Sequence, residues 1–136
     1  MKIFIICSKA FYDRIPPIKE ALEAAGHEIF LPNCYDAPDT EESYRQKGET
    51  EHGQWKGKML LHSTEVIEEV DAVLVLNFEK HGVPNYIGGA TFIEMYDAFR
   101  LGKRIFLYCD YPDGILHDEV VGFQPILIDG DLSKIS

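Results

Sequence analysis

The chain has 136 residues, of which 46% are hydrophobic and 26% charged, and its 23 acidic and 13 basic side chains give a formal charge of −10. Residues 1–136 are therefore expected to form one domain, which can bury roughly two thirds of the surface that the unfolded chain exposes. This net negative charge argues against a nucleic-acid polymer as a partner, because it repels a phosphate backbone.

The sequence indicates which cellular compartment and which cofactors to expect. Cys7, Cys34 and Cys109 are an odd number without a CxxC spacing, which favours reduced thiols in the core over a disulfide or zinc framework. No histidine spacing indicates a metal site, and no dinucleotide or P-loop fingerprint occurs, so we expect no metal and no cofactor. The apolar run at residues 2–7 is too short for a signal peptide, and no stretch is long enough for a membrane span. We therefore expect a cytoplasmic protein with no membrane partner.

The first half of the chain predicts two strands and one helix before a long aperiodic segment. Residues 2–7 are a continuous apolar run typical of a strand covered on both faces. Helical periodicity follows from Pro16 or Pro17 to Ala25, and residues 27–31 predict a second strand. Residues 33–53 are acidic and aperiodic, which is typical of a functional lid or a partly disordered segment, with at most a helical turn at 41–46.

The second half continues the alternation. A helix is predicted at 54–69 and the clearest strand of the chain at 71–77. After a loop, residues 91–101 again have helical periodicity, and Gly102 ends that helix. The remaining elements are a strand at 104–108, a short helix at 115–122 and a strand at 125–130.

This order predicts an α/β fold with a parallel sheet. Five strands that alternate with helices favour a single-domain flavodoxin-like three-layer sandwich, with a five-stranded parallel sheet in the order 2-1-3-4-5. Ligands of such folds bind beyond the carboxyl ends of the strands, near the point where the strand order reverses. Here those ends are the loops after strands one, three and four.

A carboxylate at the start of the third helix is the main candidate for chemistry. Gly88 and Gly89 lead into Thr91, and Glu94 is expected in the first turn, beside backbone N–H groups that should keep it ionised. Such a carboxylate can act as a nucleophile or stabilise positive charge on a substrate. Thr91 and Glu94 have equally the spacing of a capping box, in which Glu94 has only a structural role.

Polar side chains near the strand ends are candidates for binding. Ser8 and Lys9 follow the first strand, where a hydroxyl and a cation can hold a phosphate, although lysines are commonly just exposed. Asn77 and Asn85 flank the loop after the third strand, where they can contact a ligand or bond local backbone.

Aromatic loop residues and one histidine complete the candidates. Phe11, Tyr12 and Tyr86 can stack on a nucleobase, or anchor their loops on the core. His62 is expected on the same helical stripe as Met59, where it is either a buried core histidine or a proton donor in the crevice.

Three segments together resemble the nucleoside 2-deoxyribosyltransferase-like family: DAVLVLN at 71–77, NYIGGATFIEMYDAFRLGKRIFLY at 85–108 and GDLSKI at 130–135. The likeness is close over 71–108 and loose over 1–110. It implies cleavage or exchange of the N-glycosidic bond of a (deoxy)nucleoside or its 5′-monophosphate, with Glu94 as the nucleophile and Gly88, Gly89 and Thr91 around the substrate. It also implies a homo-oligomer, because active members complete their pocket with a neighbouring subunit.

The sequence departs from the active members at three positions. Ser63 falls where they have an aspartate, with His62 beside it as an alternative acid. Ile5 falls where they have a tyrosine, and Gly88 where they have a polar residue that contacts the sugar, a role open to Asn85. These departures keep two alternatives open: a module that binds or senses a nucleotide without turnover, and a structural domain in which Glu94 is only a cap.

Overall fold

A five-stranded, all-parallel sheet in the order β2-β1-β3-β4-β5 forms the centre of the computed structural model, which describes residues 1–136. The strands are β1 (Lys2–Cys7), β2 (Glu28–Phe30), β3 (Ala72–Leu76), β4 (Arg104–Leu107) and β5 (Ile126–Leu127). This confirms the predicted α/β fold and strand order. The order reverses between β1 and β3, which is where such sheets bind ligands.

The chain forms five α-helices. They are α1 (Ile15–Ala24), α2 (Thr40–Lys47), α3 (Glu49–Glu69), α4 (Gly89–Arg100) and α5 (His117–Gly122). Short 3-10 turns occur at Lys9–Arg14, Gly114–Leu116 and Leu132–Lys134. No helix combines the length and apolar composition that crossing a membrane requires.

Both faces of the sheet are buried, as its continuous apolar strands predict. In β1, Ile3 and Ile5 pack towards α1, whereas Phe4 and Ile6 pack towards α3 and α4. All five residues of β3 are buried. The two cores fix the strand ends, and with them the loops that carry the polar candidates.

The prediction of an aperiodic excursion at residues 33–53 is wrong over most of its length. It contains α2, and α3 begins at Glu49 rather than at residue 54. Helix α2 buries no residue, so it has no apolar stripe for periodicity to detect. Ion pairs of Arg45 with Glu41 and Glu42 run along its surface, and α2 packs mainly on α3.

The face of α3 turned to the sheet also differs from the prediction. Ser63 and Ile67 are its buried residues, whereas the His62 side chain is 55% exposed beside Glu65. His62 is therefore neither a core histidine nor a residue of the crevice. Successive residues of a helix are about 100° apart around its axis. The predicted apolar stripe was displaced by one residue, so it included the exposed His62 in place of the buried Ser63.

Candidate active site

A pocket of about 540 Å³ lies at the carboxyl ends of β1, β2 and β3. Residues from both sides of the strand-order reversal line it, as the fold predicts. The predicted contribution from the loop after β4 is absent, and the loop after β2, through Pro32, Asn33 and Cys34, takes part instead. The pocket has two ends that differ in composition. The strand-loop end consists of Ser8, Lys9, Lys80, Tyr86 and Gly88–Thr91, and the helix end consists of Glu41, Arg45, Trp55, Lys56, Met59 and Leu60.

The strand-loop end carries two cations without a carboxylate partner. Lys80 Nζ donates to Ser8 Oγ over 3.2 Å and lies 4.8 Å from the centre of the Tyr86 ring. Lys9 lines the same end and forms no ion pair. Because the chain as a whole is strongly acidic, unpaired cations in a concave site favour an anionic ligand.

The start of α4 corrects two predictions. The helix begins at Gly89 with Gly88 as its N-cap and without a side-chain cap, so Thr91 is its third residue and Glu94 its sixth. The predicted capping box and the position of Glu94 in the first turn are both wrong. The first N–H groups of the helix, which have no partner within it, remain at the pocket, where Gly89, Ala90 and Thr91 are lining residues.

Glu94 is held in the pocket from α3. Ser63 Oγ donates to Glu94 Oε2 over 2.6 Å, and Asn33 Nδ2 donates to Ser63 Oγ over 2.7 Å. Asn33 Nδ2 also donates to the backbone oxygen of Met59 over 3.0 Å. Ser63 is only 1% exposed, so this chain is fixed by packing. It fixes one carboxylate oxygen of Glu94 and leaves Oε1 without a protein donor.

Burial raises the pKa of Glu94 to about 7, and the nearby carboxylate of Asp97 adds to the rise. The hydrogen bond from Ser63 and the charge of Lys56 act in the opposite direction. The expectation that Glu94 stays fully ionised is therefore wrong. The true helix start moves Glu94 away from the free N–H groups, and packing against α3 removes water from it.

Two further groups beside Glu94 remain protonated at neutral pH. Burial, with a smaller effect of Glu94, raises the pKa of the Cys7 thiol to about 12. Burial also raises the pKa of Tyr12, and the neighbouring Cys7 and Glu94 reinforce this rise. The Tyr12 hydroxyl donates to the backbone oxygen of Asn33 over 3.3 Å. Tyr12 thus lies in the pocket as a neutral hydrogen-bonding group.

The helix end is built around a second carboxylate. Glu41 Oε2 accepts from His52 Nε2 over 3.0 Å, from Lys56 Nζ over 3.2 Å and from Arg45 NH2 over 3.4 Å. The Trp55 ring stacks with the rings of Tyr44 and His52, whose centres are 5.8 and 6.2 Å away. The ion pairs and the stack together hold α2 against α3 over the pocket.

The structure brings most of the predicted site residues together. Those that line the pocket are Glu94, Ser8, Lys9, Tyr12, Tyr86, Gly88, Gly89 and Thr91. Four others do not line it: His62, Phe11, Asn77 and Asn85.

The last three have structural roles. Phe11 is 4% exposed and packs edge-on against Phe78 at 5.5 Å. Asn77 is fully buried, donates to the Asp110 carbonyl over 2.8 Å and accepts from the Cys109 N–H over 2.8 Å. Asn85 adopts a positive φ of 54° and donates to the Tyr111 carbonyl over 3.2 Å.

Several residues of the site were missed from the sequence. Asn33 lies two residues beyond the end of the predicted second strand, so the rule on strand ends would have found it. Glu41 and Lys56 lie on helices without a clear apolar stripe, and no local signal marks them. Cys7 and Cys34 were expected in the core, yet both line the pocket, and Cys34 Sγ lies 3.9 Å from Met59 Sδ.

No family model matches this sequence, and no curated protein matches it either. Within the structure, no group of three or more His, Cys, Asp and Glu side chains is arranged to hold a metal ion.

Proposed function

We propose that the protein cleaves or exchanges the N-glycosidic bond of a nucleoside or nucleoside 5′-monophosphate, with Glu94 as the group that meets the sugar. The observation that carries this proposal is the geometry of Glu94. Its Oε2 is fixed by Ser63 at 2.6 Å, and its Oε1 is left unengaged in a pocket of about 540 Å³. This volume lies within the range of small-ligand sites.

The chemistry requires the ionised form of Glu94. As the base leaves with the electrons of the C–N bond, positive charge develops on the anomeric carbon, which Oε1 can capture or stabilise, as in retaining glycosidases. Water or a second base then takes the sugar. The departing base needs a hydrogen-bond donor or a proton, and the neutral Tyr12 hydroxyl in the same pocket can donate that hydrogen bond once it releases the carbonyl oxygen of Asn33.

The strand-loop end supports a 5′-monophosphate. Lys9, Lys80 and the Ser8 hydroxyl lie there together with the first N–H groups of α4, a combination that suits a phosphate. Glu94 lies between one and two helical turns further along α4, and one turn is about 5.4 Å. This separation is comparable to the span between the anomeric carbon and the 5′ substituent of a nucleotide.

The proposal assigns the chain to the nucleoside 2-deoxyribosyltransferase-like family, and the departures from that family have a physical explanation. Ile5 is fully buried on the α1 face of the sheet and does not line the pocket. A Cβ added at Gly88 would make an ordinary contact of 3.4 Å with the Tyr86 hydroxyl, so Tyr86 already places a hydroxyl beside residue 88. Three unpaired cysteines fit a cytoplasmic location.

Release of free base from a panel of deoxynucleosides, ribonucleosides and their 5′-monophosphates tests the proposal. We expect release from at least one monophosphate, and we expect Glu94→Gln to reduce it by about 10²-fold or more. Thr64→Ala is the control, because Thr64 joins α3 to α4 through a 2.6 Å bond to Asp97 without lining the pocket. Absence of release across the panel, or equal rates for Glu94→Gln and the unaltered protein, would contradict the proposal.

The replacement of the family's aspartate by Ser63 supports a second candidate function, in which the pocket binds a nucleotide without turnover. Ser63 cannot transfer a proton in its place, and His62 lies outside the pocket. A thermal-shift screen separates the two functions, because a binding module is stabilised by nucleotides while their bases stay intact. Absence of any shift would exclude this candidate.

A further inference from the structure

Glu41 presents an unused acceptor to the pocket. All three of its donors, from Arg45, His52 and Lys56, lie on Oε2 at 3.0 to 3.4 Å. Oε1 has no protein donor, although Glu41 is one of the pocket's lining residues. The side chain is 24% exposed, so the network fixes one oxygen and leaves the other free for a ligand.

The surroundings keep Glu41 charged. Burial acts to raise its pKa, but hydrogen bonds from His52 and Lys56 and the charge of Arg45 outweigh this and hold the pKa below its usual value. An ionised carboxylate only accepts hydrogen bonds. Its free oxygen therefore selects for an N–H or O–H donor on the ligand and against a carbonyl oxygen.

Apart from the paired cations Arg45 and Lys56, the walls beside this acceptor are apolar or aromatic. Trp55 is held by its stack with Tyr44, whose ring is inclined by 19° to it, and Met59 packs near Cys34. Pro38 lines the pocket here as well. Apolar and aromatic walls with one oriented polar group are typical of a site for a flat heterocycle.

The charges of the pocket orient a nucleotide within it. At the helix end Arg45 and Lys56 are already paired with Glu41, whereas Lys9 and Lys80 at the strand-loop end have no carboxylate partner. A phosphate therefore goes to the strand-loop end. With the sugar at Glu94, as the proposed function requires, the base extends towards Glu41.

We propose that Glu41 Oε1 accepts a hydrogen bond from the exocyclic amino group of the base and thereby determines base specificity. Carboxylates accept from the amino group of cytosine in the same way in protein–DNA complexes. The site then favours adenine over hypoxanthine and cytosine over uracil, because a carbonyl at that place meets an acceptor and leaves it unpaired.

Paired substrates and a neighbouring control variant test this inference. Affinity, by calorimetry, and base release are measured for the 5′-monophosphates of deoxyadenosine and deoxyinosine, and of deoxycytidine and deoxyuridine. The unaltered protein should favour the amino base of each pair by about tenfold or more. Glu41→Gln, whose amide can also donate, should bring the ratio to within about twofold.

The control is Glu42→Gln. Glu42 also pairs with Arg45, over 2.8 Å, but it lies outside the pocket. Loss of a surface pair on α2 is thus common to both variants, and Glu42→Gln should keep the full preference for the amino base.

The outcomes separate this inference from the proposed function on which it rests. Selective binding of the amino bases that Glu41→Gln removes, without base release, upholds the role of Glu41 and contradicts catalysis. Base release with equal preference within each pair, or an undiminished preference in Glu41→Gln, overturns the role of Glu41 alone. Failure to bind any of the four nucleotides overturns both.

Discussion

Ser63 Oγ donates a 2.6 Å hydrogen bond to Glu94 Oε2 and so ties α3 to α4 inside the pocket. One residue along α3, Thr64 Oγ1 donates a bond of the same length to Asp97 and ties the same helices outside the pocket. The two contacts are matched in chemistry and differ in location. A variant of Ser63 can therefore be compared with the matching variant of Thr64.

Loss of the Ser63 hydroxyl should shift the pH dependence of catalysis. The hydrogen bond from Ser63 lowers the pKa of Glu94, so Ser63→Ala should raise that pKa further above 7. Because the ionised carboxylate meets the sugar, kcat/KM should rise with pH through about 7 in the unaltered protein. In Ser63→Ala this limb should move up by about one pH unit, and activity at pH 7 should fall about fivefold.

Thr64→Ala removes the equivalent bond to Asp97 and should cost a similar amount of stability, about 1 kcal/mol. Its pH–rate profile should keep the limb of the unaltered protein. A limb that stays in place in Ser63→Ala, or that moves equally in both variants, would disconnect Ser63 from the ionisation of Glu94.

Glu94 should also make stability depend on pH. Its pKa rises from 4.5 to about 7 on folding, so the folded state binds more protons than the unfolded state between these values. The stability that the bound proton contributes is complete below about pH 4.5 and is lost as the pH rises to about 7. The loss is at most roughly 3 kcal/mol.

Glu94→Gln cannot ionise and should escape this loss. Urea unfolding at pH 5 and pH 8 measures it: relative to the unaltered protein, the variant should gain more free energy of unfolding at pH 8 than at pH 5. Glu65→Gln, which removes an exposed carboxylate of α3 outside the pocket, should not reproduce this gain. An equal difference between Glu94→Gln and the unaltered protein at both pH values would mean that Glu94 titrates alike in the folded and unfolded states.

Removal of the Lys80 charge should affect only phosphorylated ligands. Lys80 Nζ lies 3.2 Å from Ser8 Oγ without a carboxylate partner, and charge-assisted bonds to phosphate are among the stronger polar contacts. Lys80→Met should raise KM about tenfold for a nucleoside 5′-monophosphate and leave the nucleoside unchanged. Lys58→Met, at an exposed position of α3 outside the pocket, should change neither. A parallel loss for nucleoside and monophosphate would assign Lys80 a structural role.

The sheet could be predicted because its central strands β1, β3 and β4 are buried on both faces. The fully apolar β3 and the regular alternation with helices determine the strand order through rules that do not depend on detail. Helix α2 could not be predicted in this way, because it buries no side chain. Contacts with α3, such as the stack of Tyr44 on Trp55, hold it in place, and they join residues that no local pattern relates.

The site was predictable where it follows the backbone and unpredictable where it depends on packing. The pair Gly88–Gly89 was found because it begins a helix after a central strand, and Glu94 was found because it lies on that helix. The bond between Ser63 and Glu94 joins residues 31 positions apart, and the packing that creates it also raises the pKa of Glu94. A local sequence pattern predicts neither the contact between Ser63 and Glu94 nor the burial of Glu94 away from water.

A crystal structure with a bound nucleoside 5′-monophosphate tests the role of Glu94 most directly. The Glu94→Gln variant keeps the ligand intact, and a shape close to that of the glutamate preserves the contact with Ser63. The account predicts an anomeric carbon about 3–3.5 Å from the side-chain atom that replaces Oε1, with the phosphate beside Lys80 and Ser8. A nucleotide bound outside this pocket, or one whose sugar lies away from residue 94, would contradict it.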